Sequence, residues 1–158
     1  MKRMDGSLRR PSALLVSSSG GHWVQLSKIA EGLDELSYDV ATVDASAVVN
    51  LAARKVFTIS DFNRNTPISA LLGLYSVFSA VARSRTTHII STGAAPGLVA
   101  IVFGRLIGRK TLWIDSIANA NRLSVSGRLA AVFAHGVLSQ WEDVAGKYPH
   151  VQYQGRIA

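Results

Sequence analysis

Short apolar runs alternate along this chain with segments in which apolar residues recur every three or four positions. The runs predict buried strands, and the wider spacing predicts helices with one apolar side. A strand at 13–17 precedes a helix at 22–36, whose apolar side comprises Trp23, Leu26, Ile29, Ala30, Leu33 and Leu36. Further strands are predicted at 39–43, 55–60, 87–91, 110–114, 136–139 and 151–153, and further helices at 44–54, 67–83, 96–107, 124–134 and 142–147.

Strands separated by helices predict a parallel sheet with helices on both faces, which is a Rossmann-like α/β fold. The 158 residues suffice for one such domain with its own core. We expect a flexible basic tail at 1–12 and a single domain at 13–158.

The loops that follow the strands are the candidate site, because ligands of parallel sheets bind beyond the carboxyl ends of the strands. In the first loop, Ser19, Gly20 and Gly21 lead into a helix that begins near His22. The glycines lack the Cβ atoms that would keep a ligand away from the backbone amides. This signal is weak alone, and the spacing G-x-G-x-x-G and the lysine-containing phosphate loop are both absent. A Rossmann dehydrogenase or a P-loop nucleotidase is therefore disfavoured.

Two further loops carry chemistry. Thr92 and Gly93 follow the strand at 87–91, and Asp115 and Ser116 follow the strand at 110–114. Each has an ordinary explanation, a helix cap for Thr92 and the serines and a surface position for Asp115. We expect the three loops to meet at one edge of the sheet.

The net charge of +7 and the pI near 10.3 indicate an anionic partner. Nucleic-acid modules usually interleave basic and aromatic residues, and this sequence does not, so no nucleic acid is expected as a partner. Basic residues instead border apolar runs, which favours an anionic membrane surface. The absence of cysteine excludes disulfides and cysteine-based zinc sites, and we expect no metal site.

The segment 67–83 is apolar on nearly all sides. Such a helix is either buried in the protein or dipped into the surface of a bilayer, and the sequence leaves both open. No signal peptide and no spanning helix is predicted, since a spanning helix needs about 20 apolar residues. We expect a peripheral protein at the cytoplasmic face of a membrane.

Three motifs in this order resemble one family: Ser-Ser-Gly-Gly-His at 18–22, Ser-Thr-Gly-Ala-Ala-Pro-Gly at 91–97, and Asp-Ser at 115–116 followed by Ser-x-Ser-Gly at 124–127. The family comprises the membrane-anchoring subunit of the two-part UDP-N-acetylglucosamine transferase of asparagine-linked glycosylation, and bacterial PssD-type polysaccharide biosynthesis proteins. Its acidic motif is more often Glu-Ser, with an arginine where this chain has Asn119. Many eukaryotic members also begin with a spanning helix.

The resemblance implies the N-terminal, acceptor-side half of a GT-B glycosyltransferase. A donor-binding subunit would be a separate chain, a UDP-sugar the co-substrate, and a lipid-linked sugar the acceptor, with no cofactor. The residues that match the family motifs are His22 and Asp115 as catalytic residues and, as substrate-binding residues, Ser19, Gly20, Gly21, Thr92, Gly93 and Ser116.

Inverting sugar transfer needs a base for the acceptor hydroxyl. His22 is one candidate, because the helix dipole at a helix N-terminus disfavours the imidazolium form. A histidine that caps or packs the helix is the alternative for His22, and Asp115 could instead be the base, or orient the acceptor or His22. A non-catalytic scaffold for the donor-binding subunit and a stand-alone nucleotide-sugar-binding protein are the competing functions.

Overall fold

The computed structural model describes residues 11–60, 62 and 67–157. Within them, seven parallel strands form one sheet in the order β3-β2-β1-β4-β5-β6-β7. The strands are β1 (Ser12–Ser17), β2 (Ser37–Thr42), β3 (Val56–Thr58), β4 (His88–Ser91), β5 (Lys110–Ile114), β6 (Gly136–Ser139) and β7 (Val151–Tyr153). The helices are α1 (Gly21–Glu31), α2 (Pro67–Ser84), α3 (Ala94–Leu106), α4 (Val125–Phe133) and α5 (Glu142–Ala145).

The predicted fold class is confirmed, and the largest departures from the predicted helices are at the end of α1 and in the segment 44–54. Helix α1 ends at Glu31 because the Gly32 amide donates to the Ile29 carbonyl at 3.0 Å, a tighter step than an α-helix makes. Leu33 and Leu36 lie beyond that turn and still pack on the core, which is why the apolar spacing continues past the helix. The segment 44–54 contains only a 3₁₀ turn, Ala45–Val48. Residues 1–10 of the predicted tail lie outside the described residues.

The sheet has a core on each face. Ala13, Leu15 and Val40 point towards α1. Leu14 and Val16 point the other way, into the larger core that α2, α3, α4 and α5 contribute to. Strand β1 pairs with β2 on one side and with β4 on the other. The chain therefore leads from β1 to β2 on one side of this pair and from β4 to β5 on the other. Such a switch point opens a crevice at the carboxyl edge, between the loops after β1 and β4.

Helix α2 answers the question that the sequence left open. One side is buried, through Val77, Ala80 and Val81. The opposite side is exposed and apolar along Ile68, Leu71, Leu72, Tyr75 and Phe78. The helix is therefore a core helix on one side and an uncovered apolar surface on the other. Among the described residues, no helix combines the length and the apolar character needed to cross a bilayer.

Candidate functional site

The loop between β1 and α1 leaves backbone donors open. Gly20 precedes the helix with a φ of 71°, and no side chain among the described residues caps the first turn of α1. Ser19, Gly20 and Gly21 are exposed, and a Cβ built on Gly21 would meet nothing within 4 Å. The first amides of a helix have no partner within the helix. The loop therefore presents donors at the positive end of the α1 dipole.

His22 is held against the neighbouring loop by two hydrogen bonds. Its ring Nδ1 lies 3.0 Å from the Thr92 carbonyl oxygen, and the Thr92 hydroxyl donates to the His22 carbonyl at 2.7 Å. A carbonyl oxygen only accepts, so Nδ1 carries the proton. In the neutral ring, Nε2 then holds the lone pair, and no hydrogen bond from the described part of the chain reaches it. Thr92 does not cap α3, contrary to the ordinary explanation of its hydroxyl.

Gly93 makes room for this ring. Its φ of 143° lies in a region that residues with side chains rarely adopt, and a Cβ there would lie 2.3 Å from the His22 Nδ1. Gly93 also precedes α3, which likewise begins with no side-chain cap. Two helix N-termini without side-chain caps thus flank the crevice between β1 and β4.

Asp115 has a different environment. The carboxylate is 2 % exposed and accepts four hydrogen bonds. The donors are the Trp113 indole at 3.0 Å, the Asn119 amide at 3.1 Å, and the Ser124 hydroxyl at 2.6 Å and backbone N–H at 2.9 Å. A Cβ on Gly127 would lie 2.6 Å from one of its oxygens. The surface position considered for Asp115 is therefore wrong, and the carboxylate joins β5 to the start of α4.

Asp115 and Asn119 are the two positions at which this chain departs from the motif of the resembled family. In this chain the two side chains are joined directly, because the Asn119 amide donates to the Asp115 carboxylate at 3.1 Å.

The Ser116 hydroxyl is held by Gln25, a residue that the sequence analysis did not single out. Gln25, on the buried side of α1, donates to the Ser116 Oγ at 3.1 Å, and the Ala118 N–H donates to the same oxygen at 3.3 Å. Both lone pairs of the hydroxyl are then used, so its proton is the group left to donate. Ser116 is 8 % exposed, and no described residue accepts that proton. The hydroxyl is therefore an oriented and unused donor.

A second missed residue, Gln140, extends this network. Its amide donates to the Gln25 Oε1 at 2.7 Å and to the Asp115 carbonyl at 3.0 Å, and it accepts the Ile157 N–H at 2.9 Å. One signal in the sequence could have identified Gln25. It is a polar residue on the otherwise apolar, buried side of α1, one turn after His22. Gln140 directly follows β6, so it lies beyond the carboxyl end of a strand, where parallel sheets bind their ligands.

The expected convergence is present. His22 joins the first loop to the second, and Gln25 joins α1 to the third. Ser19, Gly20 and Gly21 are exposed at this edge. Two grooves lie elsewhere, one of about 550 Å³ beside the end of α1 and one of about 590 Å³ between β3 and α2.

Solved structures place the fold in a class. The crystal structure of Acinetobacter baumannii MurG superposes with a TM-score of 0.73 at 12% sequence identity. The match covers 92% of this chain and 45% of that one, so the chain spans less than half of that structure. The fold and the edge described above define a Rossmann-like domain of the GT-B class, which includes glycosyltransferases and epimerases.

Sequence comparisons name the family. Residues 65–157, more than half of the chain, match the family model described as oligosaccharide biosynthesis protein Alg14 like, and the chain belongs to this family. It is similar to UDP-N-acetylglucosamine transferase subunit ALG14 of Yarrowia lipolytica, at 24% identity over 92% of this chain and 80% of the relative. The subunit of the same name in Schizosaccharomyces pombe is 25% identical over 92% and 82%. The resemblance to PssD-type proteins stays a prediction.

Proposed function

We propose that this chain is the acceptor-binding, membrane-associating subunit of a two-component inverting glycosyltransferase. It would act in glycan or exopolysaccharide assembly at the cytoplasmic face of a membrane. The observation that carries the proposal is the unused Nε2 of His22 between two uncapped helix N-termini. Membership of a family whose relatives are named transferase subunits supports it. A second chain, binding the UDP-sugar, would complete the enzyme.

His22 is the proposed base. Its Nε2 takes the proton of the acceptor hydroxyl while that oxygen forms a bond to the anomeric carbon and the bond from this carbon to the UDP oxygen breaks. The Thr92 carbonyl accepts from Nδ1 throughout, and so steadies the ring in both protonation states.

Asp115 is proposed as a positioning residue. Four donors occupy its two oxygens, which leaves little capacity to take a proton from a substrate. Its carboxylate instead fixes the loop that carries Ser116. This argument favours His22 over Asp115 as the base.

The remaining proposed contacts are donors. The amides at Gly20 and Gly21 would face anionic oxygens of a lipid-linked sugar, since helix N-termini attract phosphate. The Gly93 amide already donates to the Ser91 hydroxyl at 3.2 Å, so Gly93 would contribute by leaving space for His22. The Ser116 proton would complete this set of donors, and the exposed Ser19 hydroxyl, in the loop after β1, would be a further donor. A diphosphate next to the acceptor sugar fits these donors.

Membrane association rests on two features. The exposed apolar side of α2 offers a surface for lipid, and the net charge of +7 favours an anionic bilayer. A lipid-linked acceptor would require the protein to work at such a surface.

Reconstitution tests the proposal. Tagged chain is used to recover its partner from membranes of the native host, and sugar transfer from UDP-sugars is measured for each chain and for the mixture. We expect transfer only in the mixture. His22→Asn should lower kcat by about 100-fold to 10,000-fold, because general-base catalysis contributes that much, while the partner still binds.

Two outcomes would replace the proposal. Full activity of the mixture with His22→Asn and with Asp115→Asn would make this chain a scaffold for the other subunit. Tight binding of a UDP-sugar by this chain alone, without a partner, would favour the stand-alone binding protein.

A further inference from the structure

A groove of about 590 Å³ runs between the edge strand β3 and helix α2, outside the candidate site. Lys55 and Arg83 bring two positive charges to its lining, and none of the described residues that line it is a carboxylate. The groove differs in this from the one beside α1, where Glu31, Asp34 and Glu35 line the wall. The groove between β3 and α2 is therefore suited to an anion.

Its donors are not used by the described protein. The ion pair found among the described residues joins Arg54 to Asp39, so neither groove cation is paired there. The Arg83 guanidinium lies over the Phe57 ring, 5.8 Å from its centre, which restrains the side chain while leaving its N–H groups available. The hydroxyls of Thr58 and Ser79 line the same groove and make no hydrogen bond to described residues.

Two cations and neutral hydroxyls on one wall match the chemistry of a phosphate group. A guanidinium offers paired N–H donors to phosphate oxygens, and an ammonium adds a compact charge. Hydroxyls supply further donors without adding charge. A carboxylate ligand would use fewer of these groups, because it has only two oxygens.

The neighbourhood of the groove identifies the source of the phosphate. The apolar side of α2 runs alongside it, with Leu71 and Leu72 exposed by 67% and 57%. Tyr75 belongs to both surfaces, since it lines the groove and is 70% exposed. Positions 72, 75, 76 and 79 are helix neighbours at three- and four-residue spacing, so the apolar stripe and the polar groove lie side by side. An amphiphile has this arrangement of a charged group beside apolar chains.

We infer that this groove binds the phosphate of an anionic phospholipid headgroup while the exposed side of α2 contacts the acyl chains. The inference rests on the membrane association proposed above. It adds a stereochemically defined headgroup site, to be distinguished from diffuse attraction between a basic protein and an anionic surface.

The test compares three variants of the full chain on phosphatidylcholine vesicles with and without phosphatidylglycerol. Lys55→Gln/Arg83→Gln removes the groove charges, and the matched control Lys28→Gln/Lys110→Gln removes two exposed charges from the side of the sheet that carries α1. Thr58→Val/Ser79→Ala removes hydroxyls without changing charge. Thermal unfolding of each variant checks the fold.

A headgroup site predicts unequal effects on phosphatidylglycerol vesicles. The groove double variant should lose about 30-fold in affinity, at about 5-fold per cation, and the control pair about 2-fold or less. The hydroxyl variant should lose about 5-fold, since hydrogen bonds to a charged group are stronger than neutral ones. Binding to vesicles of phosphatidylcholine alone should be the same for all four proteins.

Three results would overturn the inference and can be told apart. Equal losses for the two charge-removing pairs would show diffuse attraction and leave membrane association standing. Absence of vesicle binding by the unaltered chain would remove membrane association itself. Binding of glycerol phosphate in the groove, detected by NMR shifts near Phe57, with vesicle affinity unchanged in every variant, would assign the groove to a soluble phosphate.

Discussion

Two parts of the same sheet edge treat their polar groups in opposite ways. At the crevice, α1 and α3 begin after glycines with no side-chain cap, and His22 keeps a ring nitrogen unused. On the other side of β4, beyond the end of β5, the Ser124 hydroxyl caps α4 by accepting from the Gly127 N–H at 2.8 Å, and Asp115 accepts four hydrogen bonds. Open donors mark where an external partner can bind, and satisfied ones mark where the protein binds itself.

The comparison also separates two residues between which the sequence left the choice of base open, with His22 as the candidate and Asp115 as the alternative. His22 and Asp115 both follow strands at one edge and both carry proton-transfer chemistry. Their surroundings differ, because four donors occupy the Asp115 carboxylate whereas the His22 ring has one hydrogen-bond partner, and the proposed roles of the two residues follow from this difference. Variants at each region should therefore fail in different measurements.

The largest effect on stability is expected from Asp115→Ala. Four buried donors would lose a charged acceptor, which should lower the free energy of unfolding by about 4 kcal/mol. Urea unfolding measures the change, with Asp34→Ala as an exposed control expected within about 0.5 kcal/mol. A loss at Asp115 as small as at Asp34 would contradict the bracing role.

Gly93→Ala should come next, and should act on the site as well as on stability. The strained φ and the contact with the His22 ring together should cost about 3 kcal/mol and displace the imidazole. NMR of the ring nitrogens would report the loss of the hydrogen bond to Thr92. Gly108→Ala is the matched control, because Gly108 also has a positive φ, of 80°, but its Cβ would meet open space. An undisturbed His22 spectrum in Gly93→Ala would refute the contact.

Gln25→Ala should have an intermediate effect of about 2 kcal/mol on stability, because it leaves the buried Gln140 amide and the Ile117 N–H without their acceptor. It also frees the Ser116 hydroxyl. In the reconstituted transferase, KM for the acceptor should rise more than kcat falls, whereas Gln25→Glu, which keeps the acceptor oxygen, should recover part of the stability. A change confined to stability would limit Gln25 to packing.

The smallest expected effects compare the capped start of α4 with the uncapped start of α1. Ser124→Ala removes both the cap of α4 and a hydrogen bond to the buried Asp115 carboxylate, and should destabilise the protein by about 1.5 kcal/mol. Ser19→Ala, at the other kind of helix start, should leave the unfolding midpoint unchanged, since no side chain caps α1. Chemical denaturation of the two serine variants side by side decides this. Equal losses would mean that Ser19 also stabilises its helix.

Sequence patterns were enough to predict the alternation of strands and helices, the parallel sheet and the loops of the candidate site. The strands at 110–114, 136–139 and 151–153 match residue for residue, because apolar runs bounded by polar turns leave little choice. The end of α1 was missed because Leu33 continued the apolar spacing through a turn. Gln25 and Gln140 were missed for a different reason. They are 115 residues apart in sequence, and only the folded chain brings their amides to 2.7 Å.

The direction of α2 determines how far its exposed apolar residues lie from His22. Strands β3 and β4 are parallel, so the helix that connects them runs back from the carboxyl edge of the sheet to the amino edge. Its exposed apolar positions Ile68, Leu71 and Leu72 belong to its first turns and therefore lie at the end of the molecule that carries His22. A lipid-linked sugar whose lipid lies along these turns would need only a short linkage between lipid and sugar to reach the imidazole. The sugar could therefore stay at the bilayer surface.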